Sequence, residues 1–170
     1  MLSKTDYRLP LFWRDWLSDA GSLTERLLEA SNGDLSVSVL NQGLDVPSLS
    51  ERQVLGLSDR RRAMVREVVL YGAGQPWVFA RSVLPLTTLT GRLRKLRQLD
   101  NQPLGALLFK DPTMRREPVQ VACINTNGQA LPSQIISADQ SFWGRRSVFR
   151  LDQKPLLVAE FFLPTFKPYN

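Results

Sequence analysis

A chain of 170 residues has the length of one domain and can bury enough surface for a proper core. It holds no histidine and one cysteine, Cys123, which excludes histidine-based triads, histidine or cysteine-rich zinc sites and an internal disulfide. A formal charge of +6 favours an anionic partner, nucleic acid or small ligand, and no apolar run is long enough to span a membrane.

The N-terminal stretch MLSKTDYRLPLFWRDWL interrupts its apolar residues with Arg14 and Asp15. It does not read as a signal peptide, so a cytoplasmic protein is expected. PLFWRDWL (10–17) predicts a short helix, and SLTE (22–25) is a capping-box pattern that opens a second one, through Ala30. NGD (32–34) is a turn, and LSVSVL (35–40) alternates as a half-buried strand does. Residues 44–61 show no clear period and predict a loop with a short helical turn. VREVVLYGAGQPWVFARSVLP (65–85) is two β-rich runs around a short polar loop, an antiparallel hairpin. Its Gly72 and Gly74 belong to the turn; Trp77 and the absence of a following helix exclude a phosphate loop. RLRKLRQL, within 91–100, predicts an amphipathic helix, with Leu93, Leu96 and Leu99 three apart below a basic, solvated face. Exposed aromatics or a recognisable nucleic-acid module would have to accompany that face for a nucleic-acid role, and neither is found, so no nucleic-acid partner is expected. PLGALLF (103–109) predicts a helix, EPVQVACI (117–124) a strand, and NTNGQALPSQ (125–134) is rich in turn residues. IISADQSFW (135–143) leads into a second hairpin, GRRSVFRLDQKPLLVAEFFLP (144–164). The sum is a single α+β domain, 1–170, with an antiparallel sheet and helices outside it.

Aligning Pro76 with Pro155 makes the hairpins resemble each other: Ala80, Leu84 and Pro85 fall on Ala159, Leu163 and Pro164. Arg66 then falls on Arg145, and Arg81 on Glu160. Strand residues of equal parity share a face, so Arg66, Arg81 and Glu160 each sit among apolar neighbours. An unpaired charge there is costly. Two readings follow: a buried salt bridge of Arg66 or Arg81 with Glu160, or an Arg fork for a ligand carboxylate with Glu at the ligand's far end. If Tyr71 pairs with Pro76, Arg66 lies opposite Arg81, and the two would repel unless an anion relieved them.

VREVVLYGAGQPWVFARSVLP, QPLGALLF, FWGRRS and KPLLVAEFFLP, in this order and spacing, resemble the chorismate pyruvate-lyases. The resemblance runs from about Trp13 to Tyr169 and is strongest over 65–109 and 142–164. It implies an antiparallel sheet of about six strands, with helices covering a buried ligand cavity. It implies a cofactor-free, metal-free lyase that converts chorismate to 4-hydroxybenzoate and pyruvate for ubiquinone biosynthesis; a monomer is expected. The family's pocket Arg falls on Arg66 and its pocket Glu on Glu160, the two catalytic candidates. A contacting Leu falls on Leu104, and Leu23 keeps an apolar side chain where a relative has Met. With Arg81 these residues form the expected substrate-binding set. The stretch VACINTNGQALPSQIISADQ is longer than its family counterpart. The rival reading is a non-catalytic module for small aromatic carboxylates, with the fold of effector-sensing domains in bacterial regulators; the chain has no spare length for a helix-turn-helix domain.

Overall fold

The computed structural model describes residues 8–125, 132, 135 and 140–168. Most of NTNGQALPSQ and of IISADQ lies outside the described residues. The chain runs α1 (Leu11–Ser18), α2 (Leu23–Ala30), β1 (Leu35–Asp45), α3 (Leu49–Leu55), β2 (Ala63–Gly72), β3 (Gln75–Pro85) and a 3-10 helix (Gly91–Gln98). It continues with α4 (Leu104–Lys110), β4 (Arg115–Arg116), β5 (Gln120–Asn125), β6 (Ser141–Leu151) and β7 (Lys154–Phe162). The described strands form one seven-stranded antiparallel sheet in the order β1-β2-β3-β7-β6-β4, with β5 also paired to β6. The expected α+β architecture is therefore present, with one strand more than six because Arg115–Arg116 makes a two-residue pairing with β6.

Three local differences from the sequence reading have physical causes. First, β1 runs past Leu40 to Asp45; a register shift between Val39 and Asn41 lets the polar residues that break the alternation continue the ladder. Second, 44–61 contains a true helix. Ser48 and Glu51 form a reciprocal capping box at its start, and Gly56, at φ 67°, ends it in the left-handed region where glycine carries no Cβ penalty. Third, the basic segment is a 3-10 helix. Leucines spaced by three eclipse on one side of a three-residue turn, so Leu93, Leu96 and Leu99 are all buried.

Both hairpins close with two-residue turns whose residues all have positive φ: Ala73 (50°) and Gly74 (75°), Asp152 (48°) and Gln153 (66°). Tyr71 does pair with Pro76. One step further in, the register shifts, and Leu70 pairs with Val78 so that Trp77 is the extra residue. The Trp77 ring lies across Gly72, where any Cβ would collide with it. The second hairpin has no such shift. The bulge decides which charges meet: Arg66 lies opposite Ser82, whereas Arg145 lies opposite Glu160.

The central strands are buried on both faces. The near face carries two apolar clusters. One joins Leu17, Leu23 and Leu27 of the first two helices to Val68, Val78 and Phe162. The other joins Leu93, Leu96, Leu104 and Leu108 to Met64 and Phe149. The far face has its own pair of clusters, one of them under Leu55 of α3.

Candidate active site

Between the two near-face clusters the sheet changes character. One row of cross-strand neighbours reads Arg66, Ser82, Val158, Ser147; the next reads Val68, Ala80, Glu160, Arg145. Ser82, Ala80 and Val158 floor the middle of this belt; Arg66 stands at one end and Arg145 at the other, with Glu160 one strand in from Arg145. Leu23 and Leu104, each buried, open α2 and α4 above it, one from each apolar cluster. The two helices meet where a Cβ on Gly105 would stand 3.0 Å from the Thr24 hydroxyl. Leu23, Arg66, Leu104 and Glu160 are thus brought to one side of the sheet.

Arg66 is 2% exposed. Its Nη1 donates to Gln42 Oε1 (2.9 Å), and its Nη2 donates to the backbone oxygens of Asp100 (2.8 Å) and Gln102 (3.0 Å). All three acceptors are neutral. Burial lowers the Arg66 pKa, and the charge of Asp100 opposes this only in part. The site therefore holds a cation that, among the described residues, is solvated by dipoles and not paired with a carboxylate.

Glu160 does form a buried ion pair, but with Arg145 and not with Arg66 or Arg81. Arg145 Nε donates to Glu160 Oε2 at 2.7 Å, with the Arg side chain 2% exposed. Arg145 Nη1 also donates to the carbonyls of Trp16 and Asp19 (2.9 Å each), which ties the end of α1 to the sheet. Beside it, Arg116 donates from Nε to Ser147 Oγ (3.0 Å) and from Nη1 to the carbonyl of Ala20 (3.0 Å), with longer contacts to Asp19 and Gly21. Burial lowers the Arg116 pKa and the neighbouring Arg145 charge lowers it further, against Glu160 and Asp19.

Arg81 lies on the opposite face of the sheet, which corrects the expectation that it stands with Arg66 in one site. The bulge at Trp77 places it opposite Glu67, on the far face. There its Nε and Nη2 donate to Glu51 Oε1 and Oε2 (2.6 and 3.1 Å), and Glu67 stands 3.7 Å from Nη1. The Glu51 bond raises the Arg81 pKa against the effect of burial. These residues line an open cavity of about 790 Å³ with Ser50, Arg146 and Phe161.

Sequence reasoning passed over two site residues. Arg145 had a signal: it shares parity with Ser147, Phe149 and Leu151 on a buried strand, and the hairpin alignment laid Arg66 on it. Arg116, on a two-residue strand, had none.

Three comparisons with known proteins bear on this geometry. The model of the family described as chorismate lyase matches residues 2–170. A protein of Aromatoleum aromaticum named probable chorismate pyruvate-lyase is 41% identical over 166 residues, covering 93% of this chain and 88% of its own. One of the same name from Pseudomonas putida is 45% identical over 151 residues, covering 88% and 79%. Among solved structures, the effector domain of PhnF from Mycobacterium smegmatis superposes with a TM-score of 0.57 at 16% identity, over 85% of this chain and 89% of that one. A GntR-family transcriptional regulator from Bacillus cereus gives 0.58 at 11% identity, over 79% and 95%. These likenesses are of fold alone. By its family match across nearly the whole length and relatives at about 40% identity, the chain belongs to the chorismate lyase family.

Proposed function

We propose that the near-face site binds chorismate and that the protein eliminates its enolpyruvyl group, giving 4-hydroxybenzoate and pyruvate for ubiquinone biosynthesis. The observation that supports this best is Arg66: a buried guanidinium with only neutral acceptors, on the same face as Glu160. Its planar fork suits the ring carboxylate. Glu160 is held as an acceptor by Arg145 at one oxygen. Its other oxygen serves the ring hydroxyl or the ether oxygen.

In the reaction, the bond from the ring to the ether oxygen breaks, and its electron pair leaves with the enolpyruvyl group. The neighbouring hydroxyl-bearing carbon loses its proton, and that C–H pair completes the aromatic ring. Enolpyruvate gains a proton on carbon and becomes pyruvate. Aromatisation supplies the driving force, so a strong base is unnecessary and the lack of histidine is no obstacle. The protein's work is to hold one conformer in a dry site beside fixed charges and dipoles. No helix among the described residues is long and apolar enough to cross a membrane; the reading is of a cytoplasmic monomer.

The test is direct. Purified protein mixed with chorismate should release 4-hydroxybenzoate and pyruvate in equal amounts, before and after exhaustive chelation and dialysis. Tight binding of 4-hydroxybenzoate without turnover would favour the non-catalytic module. Activity lost on chelation and restored by a metal would refute the cofactor-free reading.

A further inference from the structure

The charge balance of the near-face belt has a second part. Among the described residues three guanidiniums, Arg66, Arg116 and Arg145, face it, against one carboxylate, Glu160: three minus one leaves a surplus of two positive charges. The nearby described acids offset this surplus only in part. Asp19 is taken up by Arg26 and the Gly21 amide, and Asp100 is exposed and meets Arg66 through its backbone oxygen. Chorismate is a dianion and 4-hydroxybenzoate carries one carboxylate. One positive charge therefore matches a group that the product has lost.

The two cations without a carboxylate partner among the described residues stand at opposite ends of the belt. Arg66 is on β2, and Arg116 rests on Ser147 of β6, with β3 and β7 between. Three strand spacings put Arg66 and Ser147 about 14 Å apart at Cα. That separation is on the scale of one ring with a carboxylate on each side and a guanidinium against each. Val158 and Ser82 floor the gap, and Glu160 stands one row away, beside the ring. The described hydrogen bonds of Arg116 use Nε and Nη1, all to neutral acceptors, and its guanidinium shares the Asp19 carbonyl with that of Arg145. Two like charges on one carbonyl form a place where an anion is favoured.

We infer that Arg116 binds the enolpyruvyl carboxylate, so that substrate spans from Arg66 to Arg116 while product is held at Arg66 alone. This rests on the lyase reading above. It makes Arg116 a residue that distinguishes substrate from product.

The experiment compares the parent with Arg116→Gln and Arg116→Lys. It reads kcat and KM for chorismate, the Kd of 4-hydroxybenzoate by calorimetry, and Tm. Arg116→Gln should raise the chorismate KM roughly 10–100-fold, the scale of a hydrogen bond to a charged group. The 4-hydroxybenzoate Kd should move less than about threefold. Arg116→Lys, which keeps the charge but not the fork, should show the same selectivity with a smaller rise. It carries the test if the Gln variant fails to fold. An unchanged KM in a folded variant overturns the inference. So does equal weakening of both ligands, which would mean that Arg116 only pins the α1–α2 loop. A parent that releases no pyruvate from chorismate defeats the lyase reading and this inference with it. A turning-over parent with unaffected variants defeats the inference alone.

Discussion

On the far face of the sheet Arg81 meets Glu51 through two hydrogen bonds and has Glu67 within 3.7 Å. On the near face Arg66 is more deeply buried and meets an amide and two backbone carbonyls. Both arginines lie in neighbouring rows of the same two strands, and a single bulged residue, Trp77, sends them to opposite sides. Their titration follows: the carboxylate bond raises Arg81, and burial lowers Arg66. A closed ion pair needs no ligand, whereas a buried cation solvated by neutral dipoles holds part of its field free for an anion. The state of its partners, more than the presence of an arginine in a strand, separates a structural charge from a binding one.

The largest expected effect comes from Glu160, the one carboxylate of the near-face belt among the described residues. Glu160→Gln leaves Arg145 buried without its partner and should cost roughly 3–5 kcal/mol of stability, the scale for breaking a buried pair from one side. Urea unfolding measures this; a loss below about 1 kcal/mol would mean that the backbone carbonyls alone satisfy Arg145. If Glu160 orients the ligand, the folded fraction should retain much of its single-turnover rate. A folded Gln variant that binds 4-hydroxybenzoate normally but turns over roughly 10²–10⁴-fold more slowly would assign proton transfer to Glu160 instead. Next comes Arg66→Ala. It should weaken chorismate and 4-hydroxybenzoate alike by roughly 2–5 kcal/mol, because both carry the ring carboxylate. Arg66→Lys should also be impaired. Calorimetry showing parent-like affinity for 4-hydroxybenzoate in Arg66→Ala would erase the distinction between the two faces. Smaller again is the far-face counterpart. Arg81→Leu should cost about 1–3 kcal/mol of folding, through the unpaired Glu51, and leave both ligand affinities unchanged. A changed affinity would return Arg81 to the site.

Parity made Arg66 and Glu160 legible in the sequence, because a charge among apolar neighbours on a strand covered from both sides must be paired or used. Parity could not say which, and it could not carry Arg66 to Arg81 across a hairpin whose ladder slips. The slip goes with the Trp77 ring lying over Gly72, a contact that no local pattern announces. The second hairpin's ladder runs without a shift, and there Glu160 meets Arg145, a partner that the sequence reading does not give it. Arg116 was invisible for a different reason. It reaches the belt from a two-residue pairing and takes its meaning from carbonyls about 95 residues earlier in the chain. The basic segment was legible as a helix but not as a 3-10 helix, although leucines three apart fit 3.0 residues per turn better than 3.6.

The smallest effect, and the cleanest separation of the faces, is in acid. Burial alone would raise the Glu51 pKa, but Arg81 and the Ser48 amide and hydroxyl outweigh it and hold it below the ordinary value. A depressed folded pKa means that the ion pair's contribution is fully present above the unfolded value of about 4.3, and is lost as pH falls through the folded one. Glu51→Gln should therefore be less stable than the parent at neutral pH, and the gap in Tm should close as the solution is acidified below about pH 4. Surface Asp111 and Asp152, lowered by hydrogen bonds from Arg92, add to the same acid limb in both proteins and cancel in the difference. The two unpaired arginines of the near face should not take part. Arginine, even when lowered by burial, stays charged throughout this range, so Arg66 and Arg116 do not titrate. Affinity for 4-hydroxybenzoate should then be flat from about pH 5.5 to 8, where its carboxylate is ionised. A Tm gap that stayed constant down to about pH 3 would show that Glu51 acts through packing, and that its pairing with Arg81 is not what distinguishes the far face.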